Sequence, residues 1–175
     1  HYELIKRCLN KHKHVICEKP MSASIKELEE LFSLAKTNNV LLEEITPRNE
    51  PYTYRFDVSN TDGTKRTETN LQYDLSIRTT TNLPLTYELY MNCVYTDNDA
   101  ENIITSSNVI QDSDGTYFNV FTTDTEYFSY SYNETNEYQL VVYFPSNLVD
   151  EMYQDIVDLI EITVDSKQVI NSNNG

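Results

Sequence analysis

The residues Leu71–Asn92, LQYDLSIRTTTNLPLTYELYMN, decide the fold of the larger part of the chain. Apolar and polar side chains alternate through Leu71–Arg78, and they alternate again through Leu83–Asn92 after a polar break. Strict alternation with a period of two is typical of a strand with one buried face and one wet face, as in antiparallel sheets. Two such runs joined by a short polar link predict either a hairpin or a corner between two sheets.

Similar short runs occur through the rest of the chain after residue 45, and turn residues such as Asp62-Gly63 and Asp112–Gly115 separate them. About seven or eight short strands bounded by turns favour a mainly β fold, an immunoglobulin-like antiparallel β-sandwich. A short helical turn is predicted within residues 147–158, and residues 171–175 read as a polar tail. Besides the two runs above, the predicted strands are Tyr52–Val58, Thr116–Thr122, Tyr127–Tyr132, Tyr138–Phe144 and Ile160–Val164.

The first 44 residues follow a different pattern. A helix is predicted over residues 2–11, with Leu4, Ile5, Cys8 and Leu9 on one face, and short apolar strands are predicted at His14–Cys17 and Val40–Leu42. Between the strands, Ser22 is predicted to cap a second helix, and Ser24 with Glu27 has capping-box spacing. The apolar side chains of that helix recur at helical spacing: Ile25, Leu28, Leu31, Phe32 and Ala35. The order helix, strand, helix, strand predicts a piece of an α/β fold with a parallel sheet.

Charge and composition also divide the chain near Glu44. The chain of 175 residues has a formal net charge of −15. Residues 1–44 hold seven basic and seven acidic residues, so residues 45–175 carry the entire net charge. All three histidines lie in the first segment, whereas 13 of the 14 tyrosines lie in the second. We therefore predict a chimeric organisation, with one domain at 1–44 and a β-sandwich domain at 45–175.

The stretch KHVICEKPMSASIKELEELFSLAKTNNVLLEE closely resembles the Gfo/Idh/MocA family of NAD(P)-dependent oxidoreductases. The resemblance covers about residues 1–44, and its anchor is Glu18-Lys19-Pro20, which matches the EKP signature at the end of a Rossmann strand. In that family the lysine lies beside the nicotinamide and the substrate. The resemblance therefore implies that Lys19 is the cofactor-binding position.

Other features of the segment argue against activity. A dinucleotide-binding loop needs glycines for its tight turn and for close approach of the backbone to the pyrophosphate. Residues 1–62 contain no glycine. From this we predict that the segment is an inactive oxidoreductase fragment, that Lys19 has no catalytic role, and that the chain holds no cofactor.

Residues 45–175 resemble the camelysin/TasA-like secreted proteins of Gram-positive bacteria through NLQYDLSIRTTTNLPLTYELY and YQDIVDLIEITVDSKQV. The resemblance implies an extracellular or cell-surface protein that builds biofilm-matrix fibres, and it motivates self-association by strand addition. The main functional prediction is accordingly a non-enzymatic structural or adhesive surface protein. The alternative is an NAD(P)-dependent oxidoreductase of the Gfo/Idh/MocA type.

The remaining site candidates are weak. Asp97, Asp99 and Glu101, or Asp112 with Asp114, offer oxygen ligands for calcium, but such residues are also what turns are made of. Residues 45–175 contain no histidine, which argues against a zinc site and against a histidine-activated nucleophile in that part. The acidic charge disfavours binding to nucleic acid. No apolar run reaches the roughly 20 residues of a membrane span. We predict no metal site.

Overall fold

The computed structural model describes residues 1–148, 153 and 156–169, and this part of the chain is mainly β, as predicted. Its elements are α1 (Tyr2–Asn10), β1 (His14–Glu18), α2 (Ile25–Asn38), β2 (Leu42–Ile45), β3 (Tyr52–Ser59), β4 (Leu71–Thr80), β5 (Thr86–Met91), β6 (Ser106–Gln111), β7 (Tyr117–Thr122), β8 (Glu126–Phe128), β9 (Thr135–Tyr143) and β10 (Val157–Gln168).

The strands form two sheets within the described residues. The large sheet has the order β2-β1-β10-β4-β7-β6, and β8 pairs with a further part of β4. The small sheet has the order β3-β9-β5. Strands β1 and β2 are parallel, whereas all other named pairs are antiparallel. The large sheet is therefore mixed.

The two alternating runs in Leu71–Asn92 become β4 and β5, which lie in different sheets. The run is thus a corner between sheets, not a hairpin. The buried carboxylate of Asp158 holds this corner from β10. It accepts hydrogen bonds from the Thr80 hydroxyl (2.7 Å) and from the backbone N–H groups of Asn82 and Leu83 (3.0 Å each).

One hydrophobic cluster lies between the two sheets. The large sheet contributes Tyr73, Leu75 and Ile77 of β4, and the small sheet contributes inward-facing side chains of all three of its strands. Among these, Tyr138 of β9 stacks on Phe56 of β3 with ring centroids 5.1 Å apart. Its hydroxyl lies 2.7 Å from that of Tyr73. The inner faces predicted by period-2 alternation therefore meet in one shared core.

A second cluster lies on the opposite face of the large sheet, beneath the helices. Val15 and Cys17 of β1 pack there against Ile5 and Leu9 of α1, together with Leu31 of α2. Ile16 points the other way and belongs to the cluster between the sheets. All three β1 side chains from Val15 to Cys17 are fully buried. Strand β1 is therefore covered by helices on one face and by the small sheet on the other.

The helices differ from the prediction in detail. Leu4 is half exposed, and so is Phe32, while Ile25 is 77% exposed, so these predicted core residues face solvent. The N-cap of α2 is Ser24, which makes no side-chain capping bond. Ser22 instead accepts a hydrogen bond from the Ser24 N–H and donates one to Glu27.

Two predicted strands also differ. Strand β2 begins at Leu42, two residues later than predicted, because Val40 and Leu41 still belong to the connection from α2. The predicted tyrosine strand ends at Phe128, because the Ser129 N–H donates to Glu134 and the Tyr130 N–H donates to Asn70. Half of the residues of the predicted helical turn within 147–158, and the whole predicted tail at 171–175, lie outside the described residues.

The immunoglobulin-like arrangement is not confirmed, because the large sheet is mixed and carries helices on one face. The division into domains 1–44 and 45–175 stays a prediction. Strand β2 runs across the predicted boundary, and β1 pairs with both β2 and β10. The junction is also held by Tyr52, whose hydroxyl accepts a hydrogen bond from the Thr46 N–H (2.8 Å) and donates one to the Thr46 carbonyl (3.0 Å).

Candidate functional site

The parallel pair β1–β2 ends at one edge of the large sheet. In the register of the pair Glu18 lies opposite Ile45, so both carboxyl ends meet at this edge. Ligands of open α/β sheets bind outside the carboxyl ends of parallel strands. The residue that follows β1 is Lys19, the position that sequence analysis singled out. The fold therefore places Lys19 where such a sheet presents its binding residues.

The turn that carries Lys19 is fixed by the residues on either side of it. The Glu18 N–H donates to the Ile156 carbonyl (3.0 Å), and the Lys19–Pro20 peptide bond is cis. After the turn, Met21 is buried, and its N–H donates to a carboxylate oxygen of Glu44 at 2.9 Å. Strand β2 thus supplies the acceptor that holds the turn following β1.

The side chain of Lys19 itself is exposed, and no hydrogen bond or ion pair of its ammonium is found in the described part of the chain. Glu18 precedes it in the chain, and the carboxylate of Glu44 bonds the backbone two residues after it. The edge therefore offers the ammonium of Lys19, held on a fixed turn, to a group arriving from solvent.

The neighbouring thiol has no reactive role at this edge. Burial, together with the nearby charges of Glu44 and Glu18, raises the pKa of Cys17 to about 12. The thiol donates to the backbone carbonyl of Glu43 (3.7 Å) on the helix side of the sheet. Because the thiolate is the nucleophile, Cys17 acts as a buried apolar residue.

The glycine-rich loop that binds the phosphates of a dinucleotide is missing from this part of the chain. Residues 1–62 contain no glycine, so no glycine-rich turn brings backbone N–H groups to a pyrophosphate there. Gly63 and Gly115 both have positive φ and lie outside the α/β segment, each in a turn. The edge presents Lys19, but residues 1–62 contain no phosphate-binding loop.

Three of the five acidic residues considered for calcium are engaged by other groups of the chain. An Asp97 oxygen accepts from the Val94 N–H (3.0 Å), Asp114 accepts from the Thr116 N–H (2.9 Å), and Asp112 pairs with Arg78 (2.5 Å). Among the residues that the structure describes, no group of three or more His, Cys, Asp or Glu side chains is arranged to hold a metal ion. Within the same residues, no helix is long and apolar enough to cross a membrane.

Comparisons with known proteins concern the segment that carries this edge. Residues 1–45 match the Gfo/Idh/MocA family, described as an oxidoreductase family with an NAD-binding Rossmann fold. An uncharacterised oxidoreductase of Schizosaccharomyces pombe is 50% identical over 42 residues, which are 24% of this chain and 11% of that protein. The scyllo-inositol 2-dehydrogenase (NADP(+)) of Bacillus subtilis is 53% identical over 36 residues, 21% of this chain and 11% of that protein.

The chain spans about a tenth of the length of the curated relatives that it matches. No solved structure matches it. The prediction that residues 1–44 resemble this family is therefore confirmed. The resemblance of residues 45–175 to camelysin/TasA-like proteins is not shown, since the family match ends at residue 45 and the relatives match over only 42 and 36 residues.

These matches correct the functional prediction. The sequence was expected to encode a non-enzymatic, secreted structural or adhesive protein of a biofilm matrix, and that expectation is wrong. The recognisable part of the chain is shared with oxidoreductases, which favours an enzyme and the alternative prediction. No finding supports a secreted matrix role. Self-association, avoidance of nucleic acid and an extracellular location stay predictions.

Proposed function

We propose that the chain acts in NAD(P)-dependent oxidoreduction of the Gfo/Idh/MocA type, and that residues 1–45 supply the nicotinamide side of the site. One observation carries the proposal. The 45 residues that match the family fold as a helix-covered parallel strand pair, and Lys19 follows the first strand at its carboxyl end.

Lys19 is the residue to which we assign contact with the nicotinamide and the substrate. Its ammonium offers three donors on a compact, strongly hydrated charge, which suits an alcohol, carbonyl or amide oxygen. The Met21–Glu44 bond holds the turn beneath it, so the cation is placed by backbone and not by a flexible loop. When bound, the nicotinamide ring exchanges a hydride with the substrate.

The phosphates of the cofactor need a binding loop that residues 1–62 do not contain. We propose that this loop comes from residues outside this chain. As substrate class we propose polyhydroxy alcohols, by analogy with the scyllo-inositol dehydrogenase that matches residues of the same segment.

The test is a titration of the isotope-labelled full chain with NADH and NADPH, followed by NMR. We expect chemical-shift changes confined to the turn from Glu18 to Met21 and to Glu44, with weak binding on the order of 1 mM because the phosphate loop is absent. Lys19→Met should abolish the changes. The matched control Lys36→Met removes an exposed lysine of α2 and should leave them intact.

Two results would sink the proposal. One is the absence of saturable changes with either nucleotide. The other is a pattern of changes that Lys19→Met leaves untouched.

A further inference from the structure

A cleft with a volume of about 680 Å³ opens at the side of the molecule, between the two sheets. We call it the side cleft. One wall is His14 with Leu41, at the beginning of β1 and the end of the α2–β2 connection, and the other wall is β3 from Thr53 to Asp57. Its apolar lining includes Leu140 of β9 with Ile160 and Ile162 of β10. A volume of this size is within the usual range for small-ligand sites.

The first wall presents a hydrogen-bond donor of known identity. His14 Nδ1 accepts a hydrogen bond from the Leu41 N–H at 2.9 Å, so the proton of the neutral ring is on Nε2. Burial lowers the pKa of His14, and the charge of Lys13 lowers it further, which keeps the ring neutral. No protein partner of Nε2–H is found in the described part of the chain.

The second wall is an open strand edge. Just beyond the paired strands, the Asn60 N–H donates to the Glu134 carbonyl (3.2 Å), which continues the β3–β9 register by one pair. In an antiparallel pair the residues that bond to the partner strand alternate with those that do not. By this alternation, Tyr54 and Phe56 direct their N–H and C=O groups toward β9, whereas Arg55 directs its own away from β9. Arg55 has no backbone partner on that side in the described residues.

The opposite edge of the small sheet, at β5, is covered by other backbone and side-chain groups. There Leu89 of β5 donates its N–H to the Asn102 side chain (3.0 Å) and accepts from the Ile103 N–H (2.9 Å). The connection after β5 therefore covers that edge, as native proteins usually do. The β3 edge lacks this cover where it borders the side cleft.

The charges around the cleft select the ligand. Arg55 and Asp57, which carry opposite charges, are both exposed along this wall, and His14 is neutral. A charged ligand would meet no excess of the opposite charge along these walls. Burying its charge against the apolar lining of the cleft would also cost free energy. We propose that the side cleft binds a neutral small molecule with an apolar body and an amide or carbonyl group, which accepts from His14 Nε2–H and pairs with the Arg55 backbone.

This site is separate from the edge at Lys19. His14 begins β1 and Lys19 follows its end, so the two positions are ~16 Å apart along an extended strand. Failure of one proposal therefore leaves the other intact.

The probe is prodan, a neutral naphthalene ketone whose emission moves to shorter wavelength in an apolar site. We expect saturable binding to the full chain with a shift of this kind. His14→Asn keeps an acceptor for the Leu41 N–H but removes the Nε2 donor, so prodan affinity should fall about threefold to tenfold. His12→Asn is the matched control. His12 is exposed and has positive φ, which asparagine tolerates, and its replacement should leave affinity unchanged.

A second variant tests the floor of the cleft. Ile162→Trp places a large side chain in the cleft and should reduce prodan binding at least tenfold, whereas Ile110→Trp on the exposed strand β6 should not. Thermal melts of all variants confirm that they remain folded. The proposal is overturned if the wild-type chain shows no saturable shift, or if both Ile162→Trp and His14→Asn bind prodan as the wild type does.

Discussion

The two ends of the large sheet are built from strands of similar length, but they differ sharply in cover. At one end, next to the edge strand β2, the three central side chains of β1 are fully buried, because helices lie on one face and the small sheet lies on the other. At the other end, five of the six residues of β6 are exposed. The comparison shows that the segment shared with oxidoreductases is joined to the core of the protein more firmly than β6 is.

The largest expected effect comes from Ile16, which joins the α/β segment to the core between the sheets. Ile16→Ala should lower the free energy of unfolding by about 2–4 kcal/mol, because it leaves a cavity in a fully buried site. Urea unfolding followed by circular dichroism and tyrosine fluorescence measures this. Val15→Ala is the matched variant, because it also truncates a fully buried side chain of β1, but on the helix face and not in the cluster between the sheets. A loss below about 1 kcal/mol for Ile16→Ala would show that the segment does not support the core.

Asp158 should give the next largest effect, because its carboxylate serves three donors at the corner between β4 and β5. Asp158→Asn turns an amide NH₂ toward a buried backbone N–H, and we expect a loss of about 2–3 kcal/mol in chemical denaturation. Asp165→Asn, on the exposed part of the same strand, should change stability little. Equal effects of the two substitutions would mean that the corner does not depend on this carboxylate.

His14 should give a smaller effect that depends on pH. Its folded-state pKa lies below the ordinary value of about 6.5, so the unfolded chain binds the proton more tightly. The contribution of His14 to stability is therefore complete above about pH 6.5 and is lost as the pH falls through the lowered folded-state pKa. We would record thermal melts from about pH 6.5 down to the folded-state pKa of His14. Over this range stability should change less steeply with pH for His14→Asn than for the wild type, while His12→Asn keeps the wild-type dependence. Identical slopes for His14→Asn and the wild type would exclude this role.

The smallest effect is expected at the uncovered end of the sheet. Val109 of β6 is 64% exposed, so Val109→Thr should change the free energy of unfolding by no more than about 0.5 kcal/mol. A loss above about 1.5 kcal/mol in the same denaturation experiment would mean that β6 is covered in solution and that the contrast between the two ends is false.

Most of the strands could be predicted because apolar and polar residues alternate clearly through their central residues. The runs at Leu71–Asn92 became β4 and β5, and the run at Tyr138–Phe144 lies largely within β9. Pairing between distant segments could not be predicted in the same way. Nothing in the local pattern of Val157–Gln168 indicates that it lies between β1 and β4.

The tyrosine run shows where the alternation misled. Tyr130 and Tyr132 are more than half exposed, and side chains rather than a neighbouring strand take up the backbone groups near them. Likewise, Ile25 and Phe32 fit a helical stripe but lie beyond the face that α1 and β1 cover.

For the site, the EKP motif identified Lys19 correctly as the end of a strand, because a reactive motif is local in sequence. The side cleft was missed, because His14 and the β3 edge come from distant segments and neither carries a signature. The prediction of a non-enzymatic protein went wrong because it gave more weight to the missing glycine loop and to the resemblance of residues 45–175 than to the segment that matches an oxidoreductase family.

The central place of β10 has a consequence for biosynthesis. Lys13, just before β1, pairs with Glu161 of β10, although the two residues lie 148 positions apart. Helices α1 and α2 and the β1–β2 pair are synthesised before β3 to β9, and the strand β10 that completes their sheet follows only after those strands. Such non-local pairing slows folding and leaves apolar strand edges uncovered in the interval. The β1 edge that pairs with β10 is therefore exposed while the intervening strands are made, and an exposed edge is open to wrong pairing.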